Sequence, residues 1–521
     1  MATATASRVA GPTRRVVGVD HVLATVLALV AGLVSAVLSW VPSFWTDEAA
    51  SIASADRPLG EIGALISSID AVHAVYYVAL HAWITVVGEN EFGIRALSVG
   101  AIVLATAGTY WLGRLTGGRR LGVAAALVFA VLPRVTWAGI EARPFALALA
   151  AAVWATVLLV AATRHRRSGW WIAYAVVAGL AVATNIYAAL LVVAHGVSLL
   201  LLRVPRGVLL RWLLAAVAAA VLSSPILLLG LTERGQIADN PIGVGEWLRN
   251  VVVNQWFLGG TPTGVTPERG TPVWQAAALA AAALGWVLIL VGVVSALRRR
   301  SGDRTRVVIA WAAPALVLPT AALGASLLLA NPIYNPRYLT FTSFAVALLI
   351  GAGLLALRRR WLRVIAVVLL VVAVAPVWWS QRTPDAKSGS DYRAVAHHLA
   401  AHATPGDGVY FSPREVTSDA LTGAPTRRIA VAYPADFAGL TDITRAVDAT
   451  DSDTIDDLSR PLAAEEDRLR TEDRVWVVRR IDASSAQRDA DDAVLRAAGL
   501  SDSRIVFSGG LDRITEYTRR N

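Results

Sequence analysis

The chain of 521 residues is 55% hydrophobic and 17% charged, with a mean hydropathy of +0.54 and a formal net charge of +10. Soluble globular chains carry about 25% charged residues, so this composition excludes an ordinary soluble protein and indicates a membrane protein. There is no cysteine, which excludes disulfide frameworks and thiolate metal sites.

Apolar runs recur along the first 380 residues. A helix needs about 20 apolar residues to cross a hydrocarbon core about 30 Å thick. The run at 74–88 is too short for this, so we expect an interfacial or re-entrant helix there. The first long run lacks a small-residue cleavage site, so we expect it to remain a span. About eleven spans are predicted, at 21–41, 93–113, 120–135, 143–163, 170–185, 186–203, 209–231, 273–297, 306–330, 337–357 and 361–380.

The arginines orient these spans. If residues 1–20 form a cytoplasmic tail, every second loop is also cytoplasmic, and these are the loops that are rich in arginine. The positive-inside rule predicts this distribution. This assignment places the first loop, 42–92, on the outer face of the plasma membrane. The basic residues lie in short clusters between apolar runs, a pattern that indicates membrane topology. We therefore expect no nucleic-acid partner, although the pI is near 10.3. The clusters lie at 14–15, 114–120, 164–167, 203–211, 298–306 and 358–363.

After the predicted membrane domain, 21–380, the sequence becomes polar and charged. Helical patterning appears at 392–402 and 486–498. The alternation of helices and strands predicts a small soluble α/β domain over 381–521, and the odd number of spans places it outside the cell. The strand-like runs lie at 408–411, 475–478 and 505–507.

Acidic residues occur at two places in the first outer loop. Asp47 and Glu48 follow the first span, and Asp70 and His73 precede the 74–88 helix. Ionisable groups near membrane depth are costly and tend to mark function. The alternative for Asp47 and Glu48 is a solvated acidic helix start.

Arginines also occur at the outer ends of spans, where the positive-inside rule disfavours them. Arg143 follows Glu141 between the third and fourth spans, and Arg337 and Tyr338 begin the tenth. Because a guanidinium suits bidentate phosphate binding, we predict that Arg337 holds a phosphate rather than caps a helix. For Glu141 and Arg143, a structural ion pair between two helices stays open beside a role in a polar cavity.

The tight outer turn between the fifth and sixth predicted spans carries Asn185 and Tyr187, for which packing is the better interpretation. His195, deeper in the sixth span, is interpreted as a core histidine.

Nearly all basic residues of the chain are arginines, since Lys387 is the only lysine. Together with the richness in Ala and Val, this preference indicates a high-GC genome such as that of an actinobacterium.

At these motifs the sequence resembles the GT-C superfamily of membrane glycosyltransferases, above all the branch of protein O-mannosyltransferases, the lipid A aminoarabinose transferase and actinobacterial mannosyl- and arabinosyltransferases. Residues 45–48 resemble the first-loop acidic motif, and 70–77 resemble the Asp…His-Pro-Pro-Leu-Tyr-Tyr segment, with Ala-Val in place of the proline pair. Residues 141–145 resemble the Glu-Ala-Arg-x-Tyr segment. Residues 335–338 resemble the late Pro-Arg-Tyr motif associated with the lipid phosphate.

The resemblance implies a polytopic α-helical membrane protein with the GT-C fold, a polyprenyl-phosphate sugar donor in place of a nucleotide, and inversion at the anomeric carbon. Asp47 corresponds to the catalytic base. Arg337, Arg143 and Tyr338 are expected at the donor phosphate. The residues expected at the sugar or acceptor site are Glu48, Asp70, His73, Tyr77 and Glu141.

Mannose is the favoured sugar and arabinose the second, with a cell-envelope glycolipid, polysaccharide or protein as acceptor. Some relatives hold a divalent metal near the first loop, where Asp47, Asp70 and His73 could supply ligands; this set is too sparse to predict a metal.

The alternative function is a transporter or flippase for lipid-linked saccharides. Such a protein should show paired halves and midplane charges, whereas no repeat is detectable and the ionisable residues lie at one face. A structural membrane scaffold is a third option.

Overall fold

The computed structural model describes residues 14–165, 167–233, 242–260, 272–298, 304–329, 332–413, 421–451 and 454–520. Residues 1–13 of the predicted cytoplasmic tail lie outside these ranges. So do Arg166 and the stretch 299–303, which belong to two of the predicted basic clusters.

Every predicted span corresponds to a helix, because lipid leaves the backbone no hydrogen-bond partner outside its own segment. Eight helices among the described residues are long and apolar enough to cross a membrane. Helices α6, α9 and α10 are shorter, so the number of crossings stays a prediction. The α-helices of this part are α1 Arg14–Ala36, α2 Thr46–Ala55, α3 Leu59–Ser68, α4 Ala74–Val87, α5 Glu91–Gly117, α6 Arg119–Val131, α7 Pro133–Ala138, α8 Phe145–Arg164, α9 Gly169–Thr184, α10 Ala189–Leu201, α11 Arg206–Thr232, α12 Val244–Arg249, α13 Val273–Arg298, α14 Arg304–Ala325, α15 Ser343–Ala356 and α16 Arg360–Ser380, and a π-helix, Asn250–Leu258, follows α12.

Small residues let these helices pack closely. A Cβ atom added to Gly353 of α15 would lie 1.9 Å from the carbonyl oxygen of Leu288 in α13, so only glycine fits there. The predicted break in the apolar stretch 170–203 is also present. Helix α9 ends at Thr184, and the Asn185 side chain accepts a hydrogen bond from the Tyr187 amide before α10 begins.

Because successive long helices alternate in direction, their connections gather at two ends of the bundle. One end holds the short helices α2 to α4, the turn at 139–144, and the 3-10 helix Pro336–Thr342 that leads into α15. At the opposite end, Asp20 accepts hydrogen bonds from Arg114 and Arg119 at 3.0 and 2.6 Å. The basic end and the acidic end are therefore separate, and which side of the membrane each faces stays a prediction.

The predicted α/β domain at the C-terminal end is confirmed. A five-stranded sheet has the order β3-β1-β6-β8-β7, with β1 parallel to β3 and β6 and with β8 antiparallel to β6 and β7. A second sheet has the order β2-β5-β4. The elements are α17 Tyr392–His402, β1 Gly408–Phe411, β2 Thr422–Gly423, α18 Arg428–Ala432, β3 Thr441–Asp442, β4 Arg445–Val447, β5 Leu458–Ser459, α19 Glu466–Leu469, β6 Arg474–Arg480, α20 Ser485–Ala497, β7 Asp502–Ser508 and β8 Asp512–Thr518.

The segment between α16 and α17 fastens this domain to the loop after α1. The Ser43 amide donates to the Pro384 carbonyl at 2.9 Å, and the Ser390 hydroxyl donates to the Phe44 carbonyl at 2.7 Å. The hydroxyl groups of Thr46 and Tyr392 lie 2.9 Å apart. The domain therefore contacts the first turn of α2, which carries the acidic motif.

Candidate active site

Asp47 lies in the first turn of α2, where a carboxylate is favoured by the helix dipole. Its Oδ2 accepts a hydrogen bond from Nη1 of Arg337 at 2.5 Å, although the two residues are 290 positions apart. Burial raises the pKa of Asp47, but the charges of Arg143 and Arg337 outweigh it and hold this pKa below its usual value. Asp47 is therefore ionised at neutral pH.

Arg143 is buried on the other side of Asp47. Its guanidinium donates to the Asp47 carbonyl and to the Ser51 hydroxyl, both at 3.3 Å, and it lies 3.0 Å from Nε2 of His73. Among the described residues it makes no ion pair with Glu141. The structure therefore does not show the alternative of a Glu141–Arg143 pair that joins two helices.

Asp70 forms a compact polar group with His73 and Tyr77, hydrogen-bonding to both side chains. Its backbone is in the left-handed region, with φ of +60°, which aspartate tolerates better than most residues. Burial and the nearby Arg143 charge lower the pKa of His73, so its ring is neutral at neutral pH. The Nδ1 hydrogen then points to Asp70, and Nε2 accepts from Arg143.

Glu48 is fully buried and forms a two-point ion pair with Arg95 of α5, with N–O distances of 2.9 and 2.6 Å. Burial raises the pKa of Glu48, but the charges of Arg95 and Lys387 outweigh it. A solvated helix start is therefore wrong for Glu48. Its carboxylate faces inward, because Arg95, at the start of α5, offers a matching guanidinium inside the bundle.

Glu141 is also buried, and its Oε2 has no hydrogen-bond partner among the described residues. Burial raises the pKa of this carboxyl. The sequence predicts Glu48, Glu141 and Tyr77 at the sugar or acceptor site, whereas the structure buries all three residues. Direct contact with a substrate would require them to become exposed.

A cavity of about 550 Å³ lies beside the Asp47–Arg337 pair, within the size range of small-molecule sites. Four of the predicted site residues line it, and further lining residues come from α11, from the turn after α9 and from the C-terminal domain. The predicted residues in the wall are Asp70, His73, Arg337 and Tyr338. Asp47 and Arg143 do not line the cavity themselves; Asp47 contacts Arg337, and Arg143 contacts His73.

Several wall residues were not predicted to have a functional role. Asn185 donates to the Tyr338 carbonyl at 2.9 Å, and the Tyr187 ring stacks on the Tyr338 ring at 5.2 Å, so residues interpreted as packing also line the cavity. Glu233, at the end of α11, accepts from the Ala71 amide at 3.0 Å. An acidic residue directly after an apolar span was the sequence feature that could have identified it.

The structure confirms the interpretation of His195 as a core histidine, since its ring lies 3.0 Å from the Thr156 hydroxyl and 3.1 Å from that of Tyr174.

Within the described ranges, no group of three or more His, Asp or Glu side chains is placed to hold a metal ion. Asp47 is occupied by Arg337, and Asp70 by His73 and Tyr77. The residues present therefore do not fit a metal site, and we derive no step through one.

Comparison with known proteins supports the resemblance from the motifs. A family model described as dolichyl-phosphate-mannose-protein mannosyltransferase matches residues 73–228, a stretch that begins at His73 and includes Arg143 but neither Asp47 nor Arg337. No protein of curated function matches the chain in sequence.

Solved structures match almost the whole chain. The apo crystal structure of ArnT from Cupriavidus metallidurans is 14% identical, with a TM-score of 0.57, covering 96% of this chain and 98% of that one. The structure of the same protein bound to undecaprenyl phosphate is 13% identical, with a TM-score of 0.56 and coverages of 97% and 98%. The chain is therefore a multi-pass membrane protein with the GT-C fold, the fold of ArnT, and its residues 73–228 are similar to the mannosyltransferase family model.

Proposed function

We propose that this protein is an inverting glycosyltransferase that moves a sugar from a polyprenyl-phosphate donor to a hydroxyl group at the outer face of the plasma membrane. The observation that carries the proposal is the Asp47–Arg337 pair beside a cavity of about 550 Å³. Sugar transfer needs a base for the acceptor hydroxyl and positive charge for the departing phosphate. The GT-C fold supports this class of reaction.

Arg337 is our candidate for the donor phosphate, with Tyr338 beside it and Arg143 behind it. Its guanidinium carbon lies 5.8 to 5.9 Å from the ring centres of Trp45, Phe145 and Tyr338, so aromatic faces hold it toward the cavity. A phosphate entering the cavity competes with Asp47 for this guanidinium. The Arg337 charge lowers the pKa of Asp47. When Arg337 pairs with the phosphate instead, the pKa of Asp47 rises, so Asp47 is a stronger base in the donor complex.

Asp47 then takes the proton of the acceptor hydroxyl. The acceptor oxygen bonds to the anomeric carbon on the face opposite the phosphate, the bond from carbon to phosphate oxygen breaks, and its electron pair leaves on the phosphate near Arg337. Asp70 and His73 line the cavity and contact sugar or acceptor. Glu48, Tyr77 and Glu141 support this surface from behind.

Mannose is the proposed sugar, supported by the name of the family model, and arabinose is the second candidate. The donor lipid is a polyprenyl phosphate, since undecaprenyl phosphate is bound in one structure of similar fold. The acceptor is a cell-envelope glycolipid, polysaccharide or protein. Ile455 of the C-terminal domain lines the cavity, which supports a part for that domain in acceptor binding.

A transfer assay tests the proposal. Purified full-length protein is incubated with an envelope extract and a panel of radiolabelled polyprenyl-phosphate sugars, with protein-free membranes as the control. We expect transfer from the mannose donor. Transfer from the arabinose donor alone would correct the sugar, and absence of product with every donor would overturn the function.

A further inference from the structure

Lys387, the only lysine of the chain, lies in the segment between α16 and α17 and is fully buried. Its Nζ donates to the Ile140 carbonyl at 2.7 Å and lies 3.9 Å from the ring centre of Trp137. Oε1 of Glu48 is 3.7 Å away. The ammonium group therefore sits beneath the turn at 139–144, directly behind the proposed active site.

Lys387 and Glu48 hold this turn from two sides. The Ala142 amide donates to Oε1 of Glu48 at 2.9 Å, two residues after the carbonyl that Lys387 holds. The next residue is Arg143, whose guanidinium lies 3.3 Å from the Asp47 carbonyl and 3.0 Å from His73. A shift of the turn therefore moves Arg143, and through it the proposed base.

Burial of an ammonium group costs several kcal/mol unless opposite charges compensate it. Glu48 of α2 and Glu141 of the turn attract this ammonium, whereas Arg95 of α5 and Arg382 of its own segment repel it. Burial lowers the pKa of Lys387 to about 8. An apolar side chain would avoid this cost, so stability alone does not explain a lysine here.

We propose that Lys387 is a positioning residue of this enzyme: it fixes the turn at 139–144 so that Arg143 holds Asp47 and His73 in place for transfer. The role in transfer rests on the proposed function, whereas the effect on the turn does not. Above a pH of about 8 the amine loses its charge and with it the attraction to Glu48 and Glu141. Transfer should therefore decline on the alkaline side of this pH.

The first test measures the turn without any substrate. Lys387→Met keeps the apolar stem and removes the charge, and hydrogen–deuterium exchange of the peptide that contains residues 139–143 reports whether the turn opens. The matched control is Arg382→Met, because Arg382 is a buried cation of the same segment that donates to the Val34 carbonyl of α1 and to the Val37 carbonyl just after it. We expect faster exchange of the turn in Lys387→Met and not in Arg382→Met.

The second test measures transfer against pH. Displacement of catalytic groups by about 1 Å costs on the order of 100-fold in rate, so we expect kcat to fall about 10- to 100-fold in Lys387→Met and the decline near pH 8 to disappear. Arg382→Met should retain a decline, moved to higher pH because a cation that repels the Lys387 ammonium is removed.

The outcomes separate the two proposals. Unchanged exchange in Lys387→Met, or equal changes in both variants, overturns the positioning role. Faster exchange with wild-type transfer and an unchanged pH profile also overturns it. If exchange of the turn is faster in Lys387→Met but the wild-type protein transfers no sugar, the effect on the turn stands and the proposed function is overturned.

Discussion

Removal of the Arg337 guanidinium should slow transfer by one to two decades. The guanidinium of Arg337 and the carboxylate of Asp47 are 2.5 Å apart, with side chains 27% and 23% exposed, so the contact is partly buried. In transfer this guanidinium turns to the departing phosphate, and such a charge-assisted contact contributes roughly 1.5–3 kcal/mol, which corresponds to about one to two factors of ten in rate. Arg337→Lys should recover only part of the loss, since an ammonium cannot make the bidentate contact.

The same substitution should change the pH profile. Because the Arg337 charge lowers the pKa of Asp47, Arg337→Ala raises that pKa. The base is active when ionised, so the loss of transfer on acidification should begin at higher pH in the variant. Initial rates with a radiolabelled donor between pH 4 and pH 8 measure both effects.

A matched control is Arg363→Ala, which removes an arginine from the opposite end of the bundle, where it donates to the Leu357 carbonyl at 2.7 Å. We expect near-normal transfer in this variant. Wild-type turnover in Arg337→Ala, or an equal loss in Arg363→Ala, would refute the reasoning.

Three further predictions address topology, the buried ion pair and the cavity. In the cysteine-free background, Ser501→Cys should react with an impermeant thiol reagent in intact cells and Ser168→Cys only after permeabilisation; the reverse pattern contradicts the orientation. Glu48→Gln leaves Arg95 buried without its counter-charge and should lower the free energy of unfolding by roughly 3–5 kcal/mol, measured by denaturant titration; unchanged stability contradicts the pair. Ile455→Trp should fill part of the cavity and raise KM with the fold intact, and an unchanged KM means that substrate binds elsewhere.

The fold was largely predictable because its elements have strong local patterns. The apolar runs identify helices directly, and the strand Gly408–Phe411 and the helix Tyr392–His402 begin and end at the predicted residues. Strand β8, Asp512–Thr518, was not predicted because charged residues interrupt its apolar positions. Its partner β6 supplies the pairing that stabilises it, and that pairing is not local information.

The candidate site was predictable only in part. Alternation of the spans places Asp47 and Arg337 at one end of the bundle, but no sequence pattern shows that they touch. Arg95 begins an apolar span and Lys387 stands in a polar segment, so neither suggests a buried partner for Glu48. Ile455 is an ordinary apolar residue in a charged stretch, and only the docking of the C-terminal domain brings it to the cavity.

The most direct measurement of the central claim is the transfer rate of Asp47→Asn. General-base catalysis typically contributes about 10²–10⁴-fold, and the isosteric amide keeps the size and hydrogen-bonding capacity of the side chain without its basicity. We therefore expect transfer to fall by that factor while the variant remains folded and still binds the donor lipid. Near-normal transfer by Asp47→Asn would show that this carboxylate is not the base and would contradict the account.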